Sequence, residues 1–313
     1  MSVAELSRET MGEVNHYPVM HREVLEFLEV TNKKVIVDCT VGIGSHALRL
    51  LETMKKDALL IGIDKDEESL AIASRRLTAY AGQFILVKGD FSRIDGILRD
   101  LNIKGPDAFL FDLGISTYQL NREERGFSFL REGPLDMRMD KNSFLCAYDL
   151  LNNLSEAELI NIFRKFGEER YANRVVRYLV AERKGEPIFT TTQLVHIILR
   201  ALPLKSRGHR THPATRIFQA LRIAVNRELE ALAGGLEKAI GLLNEKGRLA
   251  VISFHSLEDR IAKHTFKEFT SKSVVKTLTK KPLIPTQEEI NENAASRSAK
   301  LRVIEKIHLC SSG

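Results

Sequence analysis

Residues 35–51, "VIVDCTVGIGSHALRLL", read as a short apolar strand, a glycine turn and the start of a helix. Val35, Ile36 and Val37 are β-branched and lead into Asp38. Gly42, Gly44 and Ala47 then fit the G-x-G-x-x-G/A spacing of a dinucleotide-type turn. Such a turn brings backbone N–H groups close to a ligand at a helix N-terminus. Several nucleotide cofactors use it, so the charge around the turn has to decide between them.

The same alternation continues outward. The runs "KVIVDC", "ALLIGID", "QFILVKGD" and "DAFLFDLG" are short, rich in Ile, Val, Leu or Phe, and bounded by turn residues. They predict parallel strands buried on both faces. Between the second and third, Leu70, Ala73 and Leu77 repeat at helical spacing within 67–80. Strand–helix alternation predicts an α/β fold with a Rossmann-like, doubly wound sheet.

After Leu113 the rhythm breaks. Residues 121–140, "NREERGFSFLREGPLDMRMD", predict an ordered loop. Ser155 with Glu158, and Thr190 with Gln193, predict capping boxes before the apolar helical runs "LINIFRKF" and "LVHIILRAL". A helical insertion is therefore expected over 120–212, dividing a main domain into 1–119 and 213–313. In the second part a long helix from Pro213, another near 236–243 and the strand "RLAVISF" are expected. The tail over 271–299 is expected to be mostly loop, with "LRVIEKIHL" as a final edge strand.

The chain has 313 residues, 43% hydrophobic and 28% charged, with a net charge of +6. That length can bury a large core without disulfides. Cys39, Cys146 and Cys310 are widely spaced and form no C-x-x-C pair, which argues against zinc and for a reducing compartment. No long apolar run predicts a membrane span, and the opening residues lack the apolar core of a secretory signal. A cytoplasmic protein is expected.

Four predicted strand ends carry an acid: Asp38, Asp64, Asp90 and Asp112. Asp64 follows the turn by about 20 residues, where an acid can hold ribose hydroxyls. Each acid is also a candidate helix N-cap. A pyrophosphate would be repelled by a ring of carboxylates. S-adenosylmethionine has no phosphate and carries a cationic sulfonium and ammonium. Each such pair, at about 4 Å, is worth a few kcal/mol before desolvation. Charge thus favours this methyl donor.

The chain resembles the bacterial ribosomal RNA small-subunit methyltransferase H family, also called MraW. The resemblance is carried by "HYPVMHREVLEFL", "VDCTVGIGSHA", "FDLGISTYQL", "RGFSF" with "GPLDMRMD", "THPATRIFQALRIAVNRELEAL", "RLAVISFHSLEDRI" and "SRSAKLRV". It spans nearly everything from His16 onward. It implies a class I S-adenosylmethionine-dependent methyltransferase fold with a helical insertion. It also implies methylation of the exocyclic N4 of a cytidine in the decoding centre of 16S ribosomal RNA. Carried over by motif, the donor would be held by Gly44, Ser45 and His46 in the turn, Asp64 at ribose, Phe91 near adenine, and Asp112 and Gln119. The family's turn usually reads Gly-Gly-His, and here Ser45 takes the middle place. Its usual C-terminal Asn-Pro-Arg segment is replaced by "ENAASRSAK".

The cytosine amine is a weak nucleophile because its lone pair is conjugated into the ring. Transfer needs in-line placement and an acceptor for the amine hydrogens. Asp112 is the candidate acceptor, with a carbonyl of "LGIS" assisting; a purely donor-binding carboxylate is the alternative. Carbon-5 methylation would need a cysteine nucleophile, and Cys39 and Cys146 have no evident base. His255 either faces the site or is structural. His209 and His212 read as part of a basic surface, with no metal expected. No acid occurs between Glu186 and Glu228, an interval holding Arg200, Lys205, Arg207, Arg210, Arg216, Arg222 and Arg227. A second acid-free interval, between Glu268 and Glu288, holds Lys272, Lys276, Lys280 and Lys281. Both are candidate phosphate contacts, or plain solvated faces. Phe127 and Phe129 either stack on a flipped base or anchor their loop. The rival functions are a small-molecule methyltransferase and a catalytically idle RNA-binding assembly module.

Overall fold

A computed structural model describes residues 18–203 and 212–307. Two compact units emerge, one made of 1–114 and 232–313, the other of 115–231.

The first unit is built on seven strands: β1 (Val35–Asp38), β2 (Leu59–Asp64), β3 (Phe84–Lys88), β4 (Ala108–Asp112), β5 (Arg248–Ser253), β6 (Val275–Thr277) and β7 (Lys300–Lys306). Their order is β3-β2-β1-β4-β5-β7-β6. The first five run parallel, and β7 is antiparallel to both β5 and β6. This is the Rossmann-like, doubly wound sheet that the strand–helix alternation predicts. The period-two alternation of strand side chains produces its two faces. Ile36, Leu60, Ala108, Leu110, Ala250 and Ile252 pack on one side with Leu50 and Leu51 of helix Ser45–Thr53. Val37, Ile61, Ile63, Phe109, Phe111 and Val251 pack on the other with Leu98, Leu236 and Ile240. Fully burying side chains of this size contributes about 1.5–3 kcal/mol each.

Two expectations change. The tail contributes the strand β6 as well as β7, and β7 is an inner strand, because β6 pairs along its outer side. Its buried Leu301, Val303 and Ile304 supply both core faces. The edge falls instead on β3 and β6. β3 is accordingly only half-buried, although its sequence reads as continuously apolar.

The second unit is helical: Thr117–Asn121, Ala147–Asn153, Glu156–Lys165, Ala172–Arg183, Thr191–Ala201 and Thr215–Asn226. The Ser155–Glu158 and Thr190–Gln193 capping boxes both form. This unit, 115–231, is wider than the expected 120–212. Helix Thr215–Asn226 buries Ile217, Phe218 and Leu221 among Phe163, Val176 and Leu194, so it belongs to the helical core rather than to the sheet. Among the described residues no helix is long and apolar enough to cross a membrane.

Candidate active site

Parallel register brings the carboxyl ends of β1, β2 and β4 side by side. Asp38 is level with Gly62 and Leu110, so Asp64 and Asp112 each lie two residues further along their strands. The turn after β1 passes over this edge. Gly44 has φ 84, a left-handed conformation that favours glycine, and a Cβ there would come within 3.3 Å of Ala73. The turn therefore packs tightly on helix Glu67–Arg76 before helix Ser45–Thr53 begins.

Hydrogen bonds tie the strand ends together. Asp38 Oδ1 accepts the Thr40 N–H at 3.1 Å, and Thr40 Oγ1 accepts the Asp112 N–H at 2.7 Å. Asp64 Oδ2 accepts the Gly42 N–H and its Oδ1 the Asp66 N–H, both at 2.8 Å. A carboxylate oxygen can accept twice, so these bonds leave lone pairs for ribose hydroxyls. Burial pushes the Asp64 carboxyl up to about 6 against the pull of those two N–H groups.

Asp38 is 1% exposed. Burial pushes its carboxyl up to about 7, opposed by His46 and by the Thr40 N–H. His46 is itself buried, and its Nε2 lies 3.4 Å from Asp112 Oδ2. At that distance the contact is one of charge, short of a full hydrogen bond. Burial favours the neutral imidazole, but Asp112, with Asp38 and Glu289 behind it, outweighs burial and raises the His46 pKa above its ordinary value. Among the described residues Asp38 Oδ2, Asp112 Oδ1 and His46 Nε2 are buried without a hydrogen-bond partner. Buried polar atoms normally have partners, and exceptions concentrate where a ligand binds or chemistry occurs.

The other expected site residues are placed as follows. Ser45 opens its helix, and its Oγ accepts from Arg76 at 2.9 Å, which gives the serine a local role in this turn. Phe91 meets Phe111 edge-on at 5.4 Å between centroids, with Lys65 Nζ 5.9 Å from its ring. Gly235 faces it, and a Cβ there would come within 2.7 Å of the Phe91 ring. Gln119 lies in the helical unit, buried, where its Oε1 accepts the Ser116 N–H at 3.2 Å in a capping box. The structure thus groups Gly44, Ser45, His46, Asp64 and Asp112 around the β1 turn. Phe91 stands after β3, and Gln119 belongs to the other unit.

Several residues take the structural alternative. Asp90 caps the turn Phe91–Arg93 through the Ser92 N–H and pairs with Lys65 at 2.7 Å. Burial works against its charge, yet Lys65 and Ser92 hold its pKa below the ordinary value. His255 is the N-cap of helix Ser256–Ser271. Phe127 is buried in the helical core, and Phe129 stacks on His212 at 4.7 Å and meets Phe218 edge-on. Arg222 forms a partly buried two-bond pair with Glu228, at 2.9 and 3.0 Å. Lys272 and Lys276 pair with Glu268 and Glu305. Lys205, Arg207, His209, Arg210 and Cys310 lie outside the described residues.

Neither described cysteine suits nucleophilic attack. Cys39 is 1% exposed, and burial drives its thiol pKa well up. The Cys146 Sγ donates to Asp149 Oδ2 at 3.1 Å at a helix cap, and burial together with Asp149 raises its pKa too. A thiol held neutral is a poor nucleophile.

Asp38 and Thr40 are site residues absent from the motif-based set. Asp38 was legible as one of the four strand-end acids. Thr40 carries no signal beyond its place two residues after it.

The model of the MraW methylase family matches residues 13–307. A protein of Persephonella marina named "Ribosomal RNA small subunit methyltransferase H" is 48% identical over 294 residues, covering 94% of this chain and 100% of that one. One of the same name from Sulfurihydrogenibium sp. is likewise 48% identical over 294 residues, with the same coverage. Among solved structures, an rRNA methylase from Streptococcus thermophilus is 13% identical with a TM-score of 0.44, covering 92% of this chain and 94% of that one.

Proposed function

The chain belongs to the MraW methylase family, and from that premise we propose that it methylates the exocyclic N4 of a cytidine in the decoding centre of 16S ribosomal RNA. At the coarser level it is an S-adenosylmethionine-dependent methyltransferase of small-subunit ribosomal RNA. That substrate puts its work in the cytoplasm.

One observation carries the donor reading. Asp38 Oδ2 and Asp112 Oδ1 are buried carboxylate oxygens without partners at adjoining strand ends. That donor set suits a cationic ligand free of phosphate. Gly44, Ser45 and His46 would hold the donor at the turn, Asp64 its ribose, and Phe91 its adenine, with Asp112 completing the site. When bound, the donor supplies an electrophilic methyl group on its sulfonium.

The chain's own task is then to place and deprotonate the amine. Asp112 is fixed on its backbone side by Thr40, and its Oδ2 lies 3.4 Å from His46 Nε2, so Oδ1 is the oxygen left to accept an amine hydrogen. The neutral Cys39 and Cys146 favour transfer to nitrogen over carbon-5.

The test is product analysis. Small ribosomal subunits lacking the modification are incubated with the protein and labelled donor, and the RNA is digested to nucleosides. Label in N4-methylcytidine at one decoding-centre position is expected. Label in another nucleoside overturns the N4 assignment. No label in RNA, despite measurable donor binding, favours the small-molecule or idle-module alternatives.

A further inference from the structure

The proposed donor site contains an imidazole of its own. His46 is 6% exposed, opens helix Ser45–Thr53 at the turn, and sits 3.4 Å from Asp112. The acids facing it come from separate elements: Asp38 on β1, Asp112 on β4 and Glu289 on helix Gln287–Glu292. Asp64 on β2 adds its field at Asp38. On the other side, burial and then the fields of His46, Arg22 and Arg49 lower the pKa of His21 on helix His21–Leu28, which favours its neutral form. Glu289 is held in place, its Oε1 accepting the Met20 N–H at 2.6 Å.

This arrangement has one buried imidazole, its pKa raised against burial by the facing acids, beside the buried Asp38 and the partly exposed Asp112 and Glu289, at the place where the proposed ligand brings its own positive charge. Two cations cannot both be stabilised by the same carboxylates at low dielectric without mutual repulsion. We propose that His46 is a resident counter-cation that yields its proton to solvent when S-adenosylmethionine binds and regains it when the sulfonium becomes a thioether. His46 is thereby a positioning residue for Asp112 in the free protein and a specificity-determining residue between donor and by-product. The inference rests on the donor reading given above.

The proton balance is explicit. In the free protein the imidazolium faces the Asp112 carboxylate. On donor binding the ring loses one proton to buffer, and the sulfonium takes over the charge. Methyl transfer turns the sulfonium into a neutral thioether, leaving S-adenosylhomocysteine with its ammonium and carboxylate only, while the proton lost by the amine passes to Asp112. The ring then takes a proton back. Any proton lost from Asp38 on meeting the ammonium is common to both ligands and cancels in their difference.

The experiment is isothermal titration of the full chain with S-adenosylmethionine and, separately, S-adenosylhomocysteine. Each is run at neutral pH in buffers of different ionisation enthalpy, which counts the protons released. The donor is expected to release more protons than the by-product, by up to one. The ratio of donor to by-product affinity should rise with pH, by at most about tenfold per pH unit, and level off once His46 is neutral in the by-product complex as well. His46→Gln should abolish both the proton difference and the pH dependence of the ratio. The wild-type measurement stands by itself if that variant fails to fold. Equal proton release for the two ligands overturns the inference while leaving the donor reading intact. A full difference persisting in folded His46→Gln overturns the assignment to His46. Failure of the donor to bind at all overturns the donor reading, and this inference with it.

Discussion

The Asp64 carboxylate is bonded across the sheet edge to the turn itself, its Oδ2 accepting the Gly42 N–H at 2.8 Å. The acid expected to hold ribose therefore also holds the glycine turn in shape. Asp64→Ala should do two things at once. Losing the acceptor for Gly42 and Asp66 leaves two backbone N–H groups short of a partner, at about 1–3 kcal/mol for each that stays buried. Donor affinity should fall at least about tenfold with the lost charge-assisted bond. Thermal unfolding and calorimetric titration on the same preparation separate the two effects. Unchanged affinity would remove Asp64 from the donor site.

Asp38 should trade stability for function. Burial raises its carboxyl from 3.8 to about 7, so the folded chain binds this proton more tightly than the unfolded chain does. Between those values folding stability falls as pH rises, with the loss complete above about 7. The full loss is at most roughly 4 kcal/mol. Asp38→Asn cannot ionise and can still accept the Thr40 N–H. Its melting temperature should exceed the parent's by more at pH 8 than at pH 5, while donor affinity drops. An equal gain at both pH values would mean that the charge of Asp38 does not strain the fold.

Much of the first unit was legible because its signals are local. Each inner parallel strand is an apolar run, and the two faces follow from alternation. The acids stand at the strand ends because those runs stop there. What was not legible is decided at long range. β7 reads as an edge strand until β6 is seen to pair with it, and β6, of three residues, has no signal of its own. Helix Thr215–Asn226 has an amphipathic pattern that would suit either core; only its partners assign it to the helical unit. The same holds for charge. Arg222 looks like a surface cation in an acid-free interval, yet the first acid beyond that interval, Glu228, is its partly buried partner.

That pair divides the basic residues into two kinds. Arg222→Ala leaves the partly buried Glu228 without its guanidinium and should cost about 1–3 kcal/mol of stability in the helical unit. Lys280 and Lys281 are exposed, and their replacement by Gln should leave the melting temperature unchanged. If these lysines touch phosphate, the double variant should flatten the salt dependence of RNA binding by roughly 0.7–0.9 per lost contact. A parent slope in that variant would return the pair to an ordinary solvated surface.

The sharpest test of the chemistry is Asp112→Asn. The Thr40 contact is made by the Asp112 backbone N–H, so the substitution leaves it in place. The change removes the charge facing His46 and replaces the carboxylate with an amide that accepts a hydrogen bond but takes up no proton. If Oδ1 accepts the hydrogen of the cytosine amine, donor affinity should fall modestly. The single-turnover rate at saturating donor should fall about 10²-fold or more, the range of lost general-base assistance. The assay uses small-subunit particles with labelled donor in rapid quench, paired with direct donor titration of the same variant. A collapse of donor affinity with a normal rate at saturation would make Asp112 a donor ligand alone. The amine would then have to lose its proton to water or to a backbone carbonyl, and the unpartnered Oδ1 would belong to donor binding.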